Sequence, residues 1–141
     1  MTAPGTMKLP TNISREDLAS ILSSPSSSEI AVIDVRDHDH IGGHIAVSQH
    51  VPSQTLDVAL PELVRTLKDK KKVVFHCMLS QQRGPKAARR YVEEREKFGQ
   101  QDWPEQEVLV LFGGFDSWQQ VYGTDPKLTA NYAEDIFNSL S

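Results

Sequence analysis

One cysteine stands in this chain of 141 residues, and six positions after it stands an arginine. Both lie in Val73-Val74-Phe75-His76-Cys77-Met78-Leu79-Ser80-Gln81-Gln82-Arg83-Gly84-Pro85-Lys86-Ala87-Ala88. The Val- and Phe-rich start reads as a buried strand. The end reads as an amphipathic helix with Pro85 at its first position, where the missing N–H costs nothing. A loop feeding a helix N-terminus aims several free backbone N–H groups at one spot, and the helix dipole adds partial positive charge there. A tetrahedral oxyanion fits such a nest, and Arg83 can close over it with a two-pronged guanidinium. The same field favours Cys77 as a thiolate beneath an electrophilic phosphorus, arsenic or sulfur atom. That is nucleophilic catalysis by an activated sulfur, and it calls for no metal or other cofactor. The plainer alternative makes Cys77 an ordinary buried thiol and Arg83 a surface charge. Strand, His-Cys, five intervening residues, Arg-Gly-Pro and a helical pattern together favour the chemical reading.

Several elements must position this loop. Met7-Lys8-Leu9 reads as a short first strand before Pro10. Ser14 is set to cap a helix, with Asp17 three residues on, Ile13 and Leu18 as a hydrophobic staple, and Leu18, Ile21 and Leu22 on one apolar face. Ser23 to Ser28 is a polar turn. Ile30 to Val35 is an apolar run broken only by Asp34, as in a central parallel strand. Asp34 and Arg36 then need partners, and pairing with each other to tie loops at the active edge is the favoured reading. The sharper one makes Asp34 or Asp37 a proton donor to a leaving group. Gln49 to Pro52 reads as a short strand. Leu60, Leu63, Val64 and Leu67 mark a helix running to about Lys70, with Pro61 in its first turn.

Beyond the loop, Ala87, Ala88, Tyr91 and Val92 face inward, while Arg90 with Glu94 and Glu93 with Lys97 are spaced as outward i,i+4 pairs. Glu107 to Leu111 is the last expected strand. Phe115, Trp118 and Val121 continue as a helix ended by Gly123, with Trp118 in the core. Ala133, Ile136, Phe137 and Leu140 predict a short helix packed on the domain. Alternating strands and helices imply an α/β fold, a parallel sheet covered on both faces, with active loops at the carboxyl ends of its strands.

Composition sets bounds. The length suits one domain with a real core. A net charge of -4 and a pI near 5.7 favour neither nucleic acid nor an anionic membrane as partner. A single cysteine rules out an intramolecular disulfide and fits a reducing compartment. Met1 to Pro10 lacks the basic start and apolar run of a secretory signal, so cytoplasmic or nuclear residence is expected.

His76-Cys77-Met78-Leu79-Ser80-Gln81-Gln82-Arg83-Gly84-Pro85 resembles the active-site loop of the cell-cycle dual-specificity phosphatases built on the rhodanese fold. It is equally similar to small stand-alone relatives in fungi and plants, some phosphatases and some arsenate reductases. Val32-Ile33-Asp34-Val35-Arg36-Asp37 with Gly42-Gly43-His44-Ile45, and Val108 to Trp118, match the same superfamily in the expected order. The resemblance spans about Lys8 to Gly123. It implies one rhodanese-like catalytic domain over residues 1–141, with a core at about 8–123 and a helical tail at 124–141. The implied architecture is three-layered, with about five parallel strands. Within the superfamily, sulfurtransferases usually have four residues after the cysteine, and the phosphatases and arsenate reductases have five. This chain has five, which argues for oxyanion chemistry over sulfane-sulfur transfer.

The resemblance assigns Cys77 and Arg83 to catalysis, Met78, Leu79, Ser80, Gln81 and Gln82 to substrate binding, and His76, Asp34 and Arg36 to support. It also weakens a metal reading of Asp37, His38, Asp39, His40, His44 and His50, because Gly42-Gly43-His44-Ile45 is a turn in that pattern. The cell-cycle enzymes carry acidic residues where this chain has Met78 and Gln82, and a second cysteine where it has Val35. They also have long regulatory N-terminal regions. Phosphate chemistry is expected, and control of cyclin-dependent kinases is not. The expected substrate is a phosphotyrosine protein or small aryl phosphate. The alternative is arsenate, with glutathione and glutaredoxin as reductant. A sulfurtransferase or a non-catalytic binding module ranks below both.

Overall fold

The computed structural model describes residues 9–98 and 103–138. Among them, five strands form one parallel sheet in the order β1 (Thr11–Ile13), β6 (Glu107–Leu111), β5 (Lys72–His76), β2 (Ile30–Asp34) and β4 (Gln49–His50). Side chains alternate across a strand, so each one feeds two cores. Val73, Phe75, Ile33, Val108 and Val110 face one way, onto α2 (Leu56–Thr66) and α3 (Arg83–Glu96). Val74, Ile30, Val32, Leu109 and Leu111 face the other, onto α1 (Arg15–Leu22) and α4 (Gly114–Tyr122). The central strands are therefore apolar along their middles, with polar residues only at their ends, and the domain has three layers.

Helix α1 starts as its sequence predicts. The Ser14 hydroxyl accepts the Asp17 N–H at 3.0 Å, and Ile13 and Leu18 share one cluster. The first strand is Thr11–Ile13, after Pro10; of the predicted Met7–Leu9 strand, Met7 and Lys8 lie outside the described residues. Ser24 caps a short 3-10 turn over Pro25–Glu29 within the expected polar segment.

Other elements differ from expectation, and α2 also ends at Thr66, short of the expected Lys70. Helix α2 begins at Leu56, so Pro61 is its sixth residue and not in its first turn. Burial of Leu56, Leu60, Leu63 and Val64 offsets the hydrogen bond that an interior proline removes. Helix α3 begins at Arg83, two residues before Pro85, which still lies among the first N–H groups that lack intrahelical acceptors. The chain also forms a small antiparallel pair, β3 (His44–Ile45) with β7 (Thr129–Ala130), too short for a period-2 pattern to reveal. After β7, α5 (Glu134–Asn138) buries Phe137 against the second core, while Leu140 lies outside the described residues.

On the outer face of α3 the expected pairs exchange partners. Lys97 reaches Glu94 at i,i+3, and Arg90 reaches Asp57 on α2. Trp118 is fully buried, with its Nε1 donating to Thr129 Oγ1 at 2.9 Å, whereas Val121 is exposed. No described helix is long and apolar enough to cross a membrane. Replacing Ser14 by alanine is expected to destabilise the domain by about 1 kcal/mol in urea unfolding. An unchanged midpoint would show that the staple alone holds the N-terminus of α1.

Candidate active site

Parallel strands put the loops after β2, β5 and β6 at one end of the sheet, and Cys77 begins the middle one. Its side chain is buried. The loop runs from Cys77 to Gln82 and turns sharply at Ser80, which adopts φ +55°. That turn aims the Ser80 N–H at Cys77 Sγ, 3.1 Å away, while Ser80 Oγ accepts the Cys77 N–H at 3.4 Å. Among the described residues, no protein acceptor takes up the N–H groups of Met78, Leu79, Gln81 or Gln82. Leu79, Gln81 and Gln82 are exposed and Met78 and Ser80 half-buried, so the predicted binding residues line an accessible loop. Gly84 sits in α3 directly under it, where a Cβ would come 3.2 Å from Ser80 Oγ and 3.4 Å from Cys77 N.

A second support comes from the turn after β6. The first N–H groups of α4 hold the loop from behind: Phe115 N–H donates to the Cys77 carbonyl at 3.0 Å and Asp116 N–H to that of Met78 at 2.9 Å. Gly114 makes this approach possible. It has φ +62°, and a Cβ there would lie 2.5 Å from the Met78 carbonyl oxygen and 2.6 Å from that of Cys77. In the sequence, Gly113-Gly114 is visible only as part of the pattern from Val108 to Trp118. The signal for its job was a paired glycine just after a strand adjoining the loop strand.

The supporting residues form one buried group. Arg36 Nε and Nη2 grip both Asp34 oxygens at 2.7–3.1 Å, and Nη2 also donates to the Gly43 carbonyl at 2.8 Å. Both side chains are fully buried, and the guanidinium lies 4.4 Å from the centre of the Phe115 ring. His76 is buried beside them, with Nε2 3.9 Å from Asp34 Oδ2. Its Nδ1 faces the Cys77 carbonyl at 3.1 Å, which requires the proton on Nδ1. Nε2 is then the acceptor nitrogen, and it has no hydrogen-bond partner. Burial lowers the His76 pKa; the Asp34 charge and the Cys77 carbonyl pull the other way without reversing it, so the ring is neutral at pH 7. Burial also works against the Asp34 charge, but the hydrogen bonds and charge of Arg36 favour it and the carboxyl stays below its ordinary range.

Arg83 is not where an empty-handed anion clamp would be. Its Nη1 and Nη2 donate to Asp39 Oδ1 and Oδ2 at 2.8 and 2.6 Å, and Nη1 also reaches Asp37 Oδ2 at 3.4 Å. Both aspartates lie on the loop after β2. Hydrogen bonding from Arg83 holds the Asp39 carboxyl down at about 2, burial only partly opposing it. Burial pushes Asp37 up, but the Ser53 hydroxyl, the Gln54 N–H and Arg83 outweigh it and its pKa is lowered. The Asp39 bond raises Arg83 further above its usual value. Asp34 and Asp37, the two sequence candidates for a proton donor, are thus both carboxylates at neutral pH.

Asp39 was noticed in the sequence only as a member of the His-Asp run. The pairing of β2 with β5, which brings their following loops together, is seen only in the sheet. The histidines of that run stack: His40 lies 3.8 Å from His50 and 5.7 Å from His44 between ring centres, and His50 Nε2 donates to the Arg36 carbonyl at 2.6 Å. Among the described residues, no group of three or more His, Cys, Asp or Glu side chains is arranged to hold a metal ion.

A buried thiol opening a five-residue loop, at the carboxyl end of a central parallel strand and the N-terminus of a helix, defines a rhodanese-type site. The rhodanese-like domain family matches residues 14–121, and the chain belongs to that family. It is 40% identical to the CDC25-like phosphatase YCH1 of Saccharomyces cerevisiae, over 75% of this chain and 76% of that protein. It is 38% identical to arsenate reductase 2.2 of Oryza sativa subsp. japonica, over 76% of this chain and 80% of that one. A solved structure of a yeast protein tyrosine phosphatase of the rhodanese family superposes with a TM-score of 0.78 at 31% identity, covering 93% of this chain and 99% of that one.

Two outcomes follow from this geometry. Gly114→Ala is expected to cost about 3 kcal/mol in urea unfolding, since it combines positive-φ strain with backbone overlap; a cost under about 0.5 kcal/mol would show that the loop yields freely. The Asp39 carboxyl is depressed from 3.8 to about 2, so the stability it contributes is present above pH 4 and is lost as pH falls towards 2. Acid titrations of wild type and Asp39→Asn should diverge in that window, and parallel curves would remove the Arg83 pairing as its cause.

Proposed function

We propose that the chain is a cysteine-dependent phosphatase acting on phosphotyrosine or related aryl phosphate monoesters. The observation that carries this reading is the Cys77 loop itself: five residues long, with a backbone N–H on the sulfur at 3.1 Å and further loop N–H groups that find no acceptor among the described residues. The Cys77 thiolate attacks phosphorus in line, forming the S–P bond as the P–O bond to the aryl group breaks. The loop N–H groups and Arg83 take up the spreading negative charge. Water then cleaves the cysteinyl-phosphate, releasing inorganic phosphate and the thiolate. Ser80, through its N–H on Sγ, eases that departure, and neutral His76 supports the loop from beneath.

Neither Asp34 nor Asp37 suits the part of a proton donor, since both are held as carboxylates. The departing aryl oxide therefore takes its proton from solvent, and good leaving groups react far faster than poor ones. The partners of this reading are a phosphorylated protein or a small aryl phosphate, with no metal or organic cofactor and no nucleic acid or membrane. A cytoplasmic or nuclear location suits a chemistry that depends on one reduced thiol.

A second reading is favoured by the similarity to a rice arsenate reductase and by the single cysteine. Arsenate has nearly the shape and charge of phosphate. Cys77 would form a thiol–arsenate adduct, with glutathione and glutaredoxin supplying the two electrons that release arsenite. Phosphate release from an activated aryl phosphate, assayed in reductant without metal, separates the readings. Wild type should turn over, Cys77→Ser should lose on the order of a thousandfold or more, and Arg83→Ala should lose about a hundredfold or more in kcat/KM. Silence in wild type, with glutathione-dependent arsenite formation that vanishes in Cys77→Ser, would replace the first reading by the second.

A further inference from the structure

The proposed chemistry needs Arg83 on the oxyanion, yet its guanidinium is already occupied. Asp39 offers both carboxylate oxygens to the two Nη nitrogens at 2.8 and 2.6 Å. A phosphate or arsenate would present the same pattern, two oxygens of one anion on one planar fork. Carboxylate and oxyanion therefore compete for the same donors. We infer that Asp39 is a positioning residue that holds Arg83 as an internal stand-in for the oxyanion, released when a dianionic tetrahedral oxyanion enters the Cys77 loop. This rests on the oxyanion reading of that loop.

The arrangement around Asp39 suits a latch. Its Oδ1 also accepts the Asp37 N–H at 3.0 Å, which orients the carboxylate before Arg83 arrives. Asp37 is itself anchored by the Ser53 hydroxyl and the Gln54 N–H, and it gives Arg83 a second, longer contact at 3.4 Å. Arg36 fixes the far end of the same loop through the carbonyls of Ile41 and Gly43. The pair is nevertheless exchangeable. Side-chain exposure is 33% for Arg83 and 36% for Asp39, against 0% for both members of the Asp34–Arg36 pair. Breaking the buried pair would strand a bare charge, whereas water can solvate a released Asp39. Charge decides what can displace it: a dianion attracts Arg83 more strongly than one carboxylate does, and a monoanion has no such advantage. Asp39 thus selects for dianionic substrates and raises the concentration they need.

The sole cysteine supplies a readout that requires no turnover. Inorganic phosphate, supplied as the dianion, should protect Cys77 from iodoacetamide by filling the loop. In Asp39→Asn, which keeps an oxygen for the Asp37 N–H but loses the charge, the half-protecting phosphate concentration should fall about three- to tenfold. Asp39→Ser should fall likewise, and Asp39→Glu, which keeps the charge, should stay near wild type. A merely structural role for Asp39 predicts the opposite direction, weaker protection. An unchanged or raised concentration in both neutral variants, or no protection by phosphate in any of the proteins, overturns the latch. Shifted protection without any aryl phosphate turnover would support the latch while sinking the phosphatase reading. Turnover with unshifted protection would sink the latch alone.

Discussion

The active edge of this domain depends on one buried ion pair. Asp34 ends β2 on the sheet, and Arg36 returns to grip it while reaching the carbonyls of Ile41 and Gly43 across the following loop. Removing one member of such a pair leaves an uncompensated buried charge, with a cost of about 3–5 kcal/mol. What the pair provides is placement. The segment between Arg36 and Gly43 cannot drift, so Asp37 and Asp39 face the loop of the neighbouring strand. His50, His40 and Phe115 enclose the pair, and His76 joins it to the first residue of the Cys77 loop. Strand register carries the same connection, because Asp34 is paired with His76 across β2 and β5.

Much of this was legible in the residues. The apolar runs at Ile30, Val73 and Val108 announced buried strands, and the alternation with helices announced a parallel sheet, whereas the strand order is seen only in the structure. Ser14 and Asp17 announced a cap that the structure contains. The Asp34–Arg36 pairing followed from two charges at the end of an apolar strand. What was illegible depended on contacts distant in sequence. Nothing local to Arg83 says that its partner is Asp39, 44 positions away. Nothing local to Gly114 says that its missing Cβ makes room for the Met78 carbonyl. Pro61 misled because burial of four leucine and valine side chains outweighs a helix-starting preference, which is a weak local signal.

The two supports of the Cys77 loop differ in kind, and that difference bears on function. From behind, the α4 amides of Phe115 and Asp116 hold the carbonyls of Cys77 and Met78 through backbone bonds at 3.0 and 2.9 Å. From below, Gly84 lets α3 approach the backbone of His76 and Cys77. Both are close backbone approaches; a Cβ would overlap the loop carbonyls at Gly114 and fit only tightly at Gly84. They make the nest stiff, so its N–H groups need little reorganisation when charge develops. Arg83 has no such constraint, because its guanidinium is tied through side chains, most closely to the half-exposed Asp39 and at longer range to Asp37.

A stiff nest with a movable cation separates two requirements that a small enzyme must meet at once. Binding energy spent on reorganising amides would be lost to catalysis, so the amides are best fixed in advance. A guanidinium left permanently over the loop would draw in any anion, including the monoanions abundant in a cell. On the proposed latch, Arg83 is held by Asp39 and joins only those anions whose charge outweighs the Asp39 pair. The acidic loop after β2, anchored by the buried Asp34–Arg36 pair, and an arginine at the start of α3 beside the Cys77 loop are enough to build that proposed selectivity.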